Sequence, residues 1–201
     1  MRKPTMTEEH FIFPLGTVLF PGGALPLKIF EQRYIEMTKT CLRDNRPFGV
    51  CLIREGHEVG APAVPENVGC LASIERWEMP QLGVFHLVAR GGDRFRLHDT
   101  RVAKNGLLSG SISRIESAGA NEEVDPACRD VLKLIIEHVG EANFPSPVLL
   151  DDANWVSYRL AEILPVDVRL KQELLAIDEA RTRFERLREV LTEEGLISRN
   201  V

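Results

Sequence analysis

The chain has 201 residues, of which 44% are hydrophobic, and a net charge of −5. This length and composition suit one large domain or two small ones, each with a buried core. The sequence has no long apolar run and no apolar segment after its basic N-terminus, which predicts a cytoplasmic protein with no membrane partner. Its negative net charge is unfavourable for general nucleic-acid binding.

Residues 11–117 have the pattern of a β-rich domain that contains one helix. The helix is predicted over 31–43, where apolar residues recur at helical spacing before Pro47. Short runs of β-branched and aromatic residues, separated by turn residues, predict strands at 11–15, 25–29, 48–54, 68–77, 84–90, 94–102 and 107–115. Several short strands around one helix predict a closed or nearly closed β-barrel.

Two turns are predicted among the later strands. Gly91, Gly92 and Asp93 stand between two strand runs and tolerate positive φ, which predicts a tight hairpin between 84–90 and 94–102. Asn105 followed by Gly106 predicts a second turn before the last strand.

The second domain is predicted to be a helical bundle over 124–195, joined by a small-residue and acidic linker at 117–123. Asp125 and Pro126 form a typical helix start, and Gly140 ends that helix. Further helices are predicted over 153–164 and after Asp167, with a break near Asp178, because aspartate favours a cap over a helix interior. Taken together, the chain is predicted to be an α+β protein.

Motifs for catalysis or cofactor binding are missing from the sequence. It contains no phosphate-binding P-loop, dinucleotide fingerprint or Gly-x-Ser-x-Gly motif. A hydrolase using Cys51, with His57 as its base, or Ser109 is a remote alternative, because neither nucleophile stands in a recognised motif. The widely spaced cysteines are expected to be free thiols. We therefore expect no catalytic residue, no metal site and no cofactor.

A basic stretch over 90–114 supplies an alternative binding surface. Arg94 and Arg96 are expected to share one strand face, which could hold phosphates or an acidic partner. No aromatic residue shares this basic face as a platform for base stacking, so an ordinary solvated strand face, opposite Phe95 and Leu97, is the favoured interpretation. The arginines of this candidate stripe are Arg90, Arg94, Arg96 and Arg101.

The segment 11–34 is apolar and rich in proline and glycine. Proline fixes φ and removes hydrogen-bond donors, so the segment should form a stiff loop around Phe20 and Pro21. A pre-ordered apolar loop loses little entropy when it binds a partner, but the same loop could equally close one end of the barrel. The candidate polypeptide-binding residues are Phe20, Pro21, Leu25, Phe30, Arg33 and Tyr34.

The same segment carries a family resemblance that extends over about residues 11–192. Its pattern is Ile-Phe-Pro-Leu-Gly at 12–16, Val-Leu-Phe-Pro-Gly at 18–22 and Pro-Leu-x-Ile-Phe-Glu-x-Arg-Tyr-Ile-x-Met at 26–37. Phe-Gly-Val-x-Leu at 48–52, Gly-x-Arg-Phe-Arg-Leu at 92–97 and Leu-Ala-Glu-Ile-Leu-Pro at 160–165 follow in order. Together these motifs resemble the N-terminal, substrate-binding domain of ATP-dependent Lon proteases.

This resemblance implies a PUA-like β-barrel (pseudobarrel) followed by a helical bundle. It also implies a stand-alone relative of the substrate-recognition part, without the ATPase and peptidase parts of Lon. Its partners would be unfolded or tagged polypeptides, or a protease or chaperone. Because PUA-like barrels include RNA-binding modules, the basic stripe would serve that alternative. The segment 79–83 departs from the family pattern, so no role is carried over to that loop.

Overall fold

The computed structural model describes residues 7–116 and 122–198, and the chain divides after Ile115 into two compact units. The first unit contains six strands and one helix: β1 Glu8–Leu15, β2 Ala24–Ile29, α1 Gln32–Asp44, β3 Phe48–Glu55, β4 Val64–Gln81, β5 Val84–Val102 and β6 Leu108–Arg114. The second unit is helical, with α2 Pro126–Val139, α3 Ala153–Ile163, α4 Val168–Ala176 and α5 Ala180–Glu193. The finer domain limits 11–117 and 124–195 stay a prediction.

The six strands form one sheet in the order β2-β5-β4-β3-β1-β6. Only β1 and β3 pair in parallel, and the other pairings are antiparallel. Because β6 also pairs with β5, the pairings of β5, β4, β3, β1 and β6 form a closed circuit. Strand β2 pairs with β5 alone, so its other edge has no strand partner in the described part of the chain.

The hairpin predicted at residues 91–93 is wrong, because β5 runs through this position without a turn. Gly92 and Asp93 lie opposite the single residue Leu71 of β4, which is a β-bulge. Neither Gly91 nor Gly92 has a positive φ. A Cβ at Gly91 would instead lie 2.2 Å from the carbonyl oxygen of Phe20. The close approach of the Phe20 backbone to β5 therefore explains why residue 91 is a glycine.

The hairpins of the structure lie on either side of this bulge. Strands β4 and β5 are joined at Leu82 and Gly83, where Gly83 has φ 81°. Residues 75–82 of this hairpin are all exposed, and we call them the β4–β5 arm. The turn predicted at Asn105 and Gly106 is confirmed, because Gly106 has φ 82° and its N–H donates to the carbonyl of Ala103.

Most of the core of the first unit lies between the strands and α1. The rings of Phe13 and Tyr34 have their centroids 4.1 Å apart, and those of Phe13 and Phe48 lie 6.2 Å apart. A separate buried cluster is centred on Phe95. The first cluster packs α1 against the sheet that carries the candidate site, and the second joins side chains of β1, β3, β4, β5 and β6.

In the second unit, α3 packs against α2, α4 and α5. The side chains of Asp125, Asp152 and Asp167 accept backbone N–H bonds at the starts of α2, α3 and α4, which confirms the predicted helix starts. The predicted break near Asp178 is also confirmed, because α4 ends before this residue and α5 begins after it. None of the helices in residues 7–116 and 122–198 is both long and apolar enough to cross a bilayer.

Candidate functional site

The structure divides the predicted polypeptide-binding residues into buried and accessible sets. Phe20 is fully buried and belongs to the core, which corresponds to the loop-closing alternative that the sequence left open. Arg33 is also buried; its guanidinium pairs with Glu31 at 2.9 Å and donates to the carbonyl of Gly106 at 3.3 Å. Arg33 therefore joins the start of α1 to the β5–β6 turn, and Phe20 and Arg33 offer no binding surface. Pro21 is half-buried.

The remaining three predicted residues come together. Leu25, Phe30 and Tyr34 line a cavity of about 290 Å³, which we call the inner pocket. Phe30 is 54% exposed, Leu25 is half-buried, and Tyr34 is buried although it lines the pocket. The carboxylate of Glu58 at its rim accepts the N–H of Gly16. The inner pocket beside β2 therefore combines apolar side chains with the carboxylates of Glu31 and Glu58, which already have partners.

The β4–β5 arm adds exposed apolar side chains that the sequence interpretation missed. Trp77, Met79 and Leu82 are 53%, 46% and 95% exposed. The ring of Trp77 still contacts Phe85, with 5.7 Å between the ring centroids. The signal available in the sequence was a tryptophan and a methionine next to the Leu82–Gly83 turn, where a buried role is unusual.

A shallow groove of about 580 Å³, the outer groove, lies at the base of this arm. Its lining comes from neighbouring positions of β2, β4 and β5, namely Pro26, Leu27, Lys28, Arg76, Trp77, Glu78, His86, Leu87 and Val88. Glu78 and His86 lie 3.4 Å apart and compensate each other when the histidine is protonated. Lys28 and Arg76 are exposed, and neither forms an ion pair within the described ranges. The groove therefore combines apolar side chains with two cations that form no ion pair among the described residues, beside the carboxylate of Glu78.

The predicted basic stripe does not form one exposed surface. Arg94 is 2% exposed, so it is separated from Arg96, which is exposed. Arg90 pairs with Glu75 at 2.9 Å and donates to the carbonyl of Gly22. Arg101 is exposed, 3.8 Å from Glu9. Among the described residues, Arg96 is thus the one exposed arginine of the four that has no carboxylate neighbour.

Within the described residues, neither candidate nucleophile has a histidine placed to act as its base. Cys51 is buried, whereas His57 lies in an exposed loop. Ser109 donates to a carboxylate oxygen of Glu9, and the two ring nitrogens of the nearby His10 contact Glu8 and the carbonyl of Pro47. The described residues also contain no group of three or more His, Cys, Asp or Glu side chains arranged to hold a metal ion.

The four cysteines are expected to resist thiol reagents in the folded protein. All four are free and buried. Burial raises the pKa of Cys41 to about 11 and also raises the pKa values of Cys51 and Cys128. Because the thiolate is the reactive form, an aromatic disulfide reagent near pH 8 should label no cysteine before unfolding and all four afterwards.

A Ser73→Cys variant provides the labelling control, since Ser73 is exposed on β4. Rapid native labelling should appear in this variant alone. Rapid labelling of Cys51 in the unmodified folded chain would contradict the burial of this thiol.

Comparison with known proteins identifies one family. The chain matches the model of the ATP-dependent protease La (LON) substrate-binding domain over residues 9–193. It is 34% identical to the Lon N-terminal domain protein from Xanthomonas campestris, with a TM-score of 0.75 and coverage of 90% of this chain and 96% of that one. The N-terminal domain of the Mycobacterium avium complex Lon protease shares the fold at 15% identity, with a TM-score of 0.67 over 96% of this chain and 100% of that one.

Full-length relatives are much longer than this chain. The Lon protease of Anaeromyxobacter dehalogenans is 25% identical over 191 residues, which are 90% of this chain and 22% of that protease. Lon protease 2 of Myxococcus xanthus is 25% identical over 95% of this chain and 24% of its own length. The chain thus spans less than a quarter of these two relatives and matches their substrate-binding region.

Proposed function

The chain belongs to the family of LON substrate-binding domains, and from this membership we propose that it is a non-catalytic module that binds unfolded or tagged polypeptides. The polypeptide would be the substrate itself, or a segment of a protease or chaperone partner. We further propose that the closed circuit of strands in the first unit is a PUA-like barrel, and that the module works in the cytoplasm.

The exposed apolar surface of the β4–β5 arm is the observation that carries this proposal. Trp77, Met79 and Leu82 stand on one exposed hairpin beside the outer groove. Clustered exposed apolar side chains are typical of protein-interaction sites, and aromatic residues are frequent anchors in such interfaces. Unfolded polypeptides expose the apolar side chains that would pack against this surface.

The alternative of RNA binding through the basic stripe finds less support. Arg94 is buried and Arg90 is paired with Glu75, so these two arginines have little capacity for phosphate. By contrast, the side chains that would bind a polypeptide at the arm, Trp77, Met79 and Leu82, are already exposed.

We expect Leu82→Asp to weaken the binding of an unfolded polypeptide by about fivefold or more, because it places a charge in an apolar contact. Leu82 is 95% exposed, so the substitution should leave the fold intact. Binding of reduced, carboxymethylated α-lactalbumin, which stays unfolded, would be measured by surface plasmon resonance. Circular dichroism would verify folding.

Leu134→Asp is the matched control, because Leu134 is 65% exposed on α2 in the helical unit. It makes the same change of charge and hydrophobicity in a unit that does not contain the arm. Equal affinities of the two variants would remove the arm from the proposed surface, and the absence of binding by the unmodified chain would overturn the proposed function.

A further inference from the structure

The free edge of β2 separates the inner pocket from the outer groove. Both cavities include Pro26, Leu27 and Lys28 of this strand among their lining residues. Strand β2 has β5 on one side and no strand on the other within residues 7–116 and 122–198. A sheet edge presents unpaired backbone N–H and C=O groups, which are complementary to another extended backbone.

The register determines which backbone groups face the free edge. The N–H of Gly91 donates to the carbonyl of Gly23 at 2.9 Å, so the backbone of Gly23 faces β5. In an antiparallel pair the backbone direction alternates along the strand. The backbone groups of Ala24, Pro26 and Lys28 therefore face outward. Proline has no N–H, so the edge offers two donors and three acceptors over these positions.

The two faces beside this edge differ in chemistry. Pro26 and Lys28 are exposed, whereas Leu25 and Leu27 are half-buried on the side of the inner pocket. A strand added to the edge would place alternate side chains on these two faces. One set would meet the apolar side chains of the inner pocket, and the other would lie near the cation of Lys28.

We infer that the free edge of β2 binds an extended polypeptide segment as an added strand, and that this segment alternates apolar and acidic side chains. Apolar residues would occupy the inner pocket, and acidic residues would face Lys28. Main-chain hydrogen bonds supply affinity in strand addition, and alternate side chains supply specificity. This inference rests on the proposed function and assigns it a binding mode and a sequence preference.

A second copy of the chain fits this edge less well than an acidic segment. Proline and lysine on an edge strand are typical protections against edge-to-edge association. Two copies paired antiparallel about Pro26 would align two edges that each lack the donor at this position. They would also add a second exposed Lys28 rather than a carboxylate.

The decisive variant is Pro26→Ala, because it restores an N–H at the free edge. Strand addition predicts about threefold or greater tightening for a fluorescein-labelled octapeptide of alternating glutamate and valine. Binding through side chains alone predicts weakening, since Pro26 lines both cavities. Lys28→Glu should weaken the same peptide about tenfold, and an octapeptide of alternating lysine and valine should bind the unmodified chain more weakly than the glutamate peptide.

N-methylation of the peptide tests the backbone contacts directly. In an extended segment, the N–H groups of glutamate and valine point to opposite edges. Strand addition in either direction therefore requires that methylating one residue type abolishes binding while methylating the other preserves it. The two methylated peptides carry the same number of methyl groups and control for each other.

Three results would overturn the inference. The first is that Pro26→Ala does not bind the glutamate–valine peptide more tightly than the unmodified chain. The second is that the two methylation patterns have equal effects on binding. The third is that Pro26→Ala self-associates more strongly without any gain in peptide affinity. If unfolded α-lactalbumin binds the unmodified chain while the peptide results fail, the strand-addition mode fails alone. If α-lactalbumin also does not bind, the proposed function fails with it.

Discussion

Replacing Gly91 with alanine is expected to destabilise the β-rich unit by about 3 kcal/mol. An alanine Cβ would lie 2.2 Å from the carbonyl oxygen and 3.1 Å from the carbonyl carbon of Phe20. These are backbone atoms, so no side-chain rotation relieves the overlap. The loop is also tied to β5, because the N–H of Gly22 donates to the Gly91 carbonyl and the N–H of Gly91 donates to Gly23.

Urea unfolding of this variant needs a probe that reports on the first unit alone. The chain has two tryptophans, Trp77 in the first unit and Trp155 in the second. In a Trp155→Phe background, the fluorescence of Trp77 follows the β-rich unit. Gly92→Ala is the matched control, because its Cβ would have Leu71 O, at 3.5 Å, as its nearest neighbour. Equal free energies of unfolding for the two variants would contradict the crowding at Gly91.

Gly91 also shows where sequence reasoning about the fold stops. The helix starts at Asp125, Asp152 and Asp167 could be predicted because a cap bond joins residues two or three positions apart. The role of Gly91 depends on Phe20, some seventy positions earlier, and this approach exists only after the sheet has formed. By local chemistry, Gly91 and Gly92 indicate a turn. In the structure they instead lie at a β-bulge inside β5.

The candidate site was predictable to a similar, partial extent. Leu25, Phe30 and Tyr34 lie in a stiff apolar segment, and the structure brings them to one pocket. Phe20 belongs to the same segment but is buried, because the loop folds over β5. Composition does not distinguish these two outcomes. The exposure of Leu82 likewise depends on how far β4 and β5 extend past the core, which strand patterns do not reveal.

The largest expected effect in the helical unit comes from Arg183→Met, which should destabilise it by about 3–5 kcal/mol. Arg183 is fully buried on α5, and its guanidinium donates to acceptors on three other residues. It donates to Oγ of Ser157 at 2.9 Å, to the carbonyl of Ile177 at 2.8 Å and to Oδ1 of Asn154 at 2.6 Å. The guanidinium carbon also lies 4.0 Å from the ring centroid of Tyr158.

Methionine keeps much of the aliphatic volume of Arg183 but leaves these acceptors without a donor in a buried site, which accounts for the large cost. Since α5, α3 and the α4–α5 junction all contact the guanidinium, we expect the whole helical unit to unfold earlier. Trp155 fluorescence in a Trp77→Phe background would measure this free energy of unfolding. Arg181→Met on the same helix is the control, because the Arg181 side chain is 84% exposed and its pairing with Glu185 at 3.6 Å contributes little. If Arg183→Met lowers the free energy of unfolding no more than Arg181→Met does, the buried guanidinium does not hold α5 to α3.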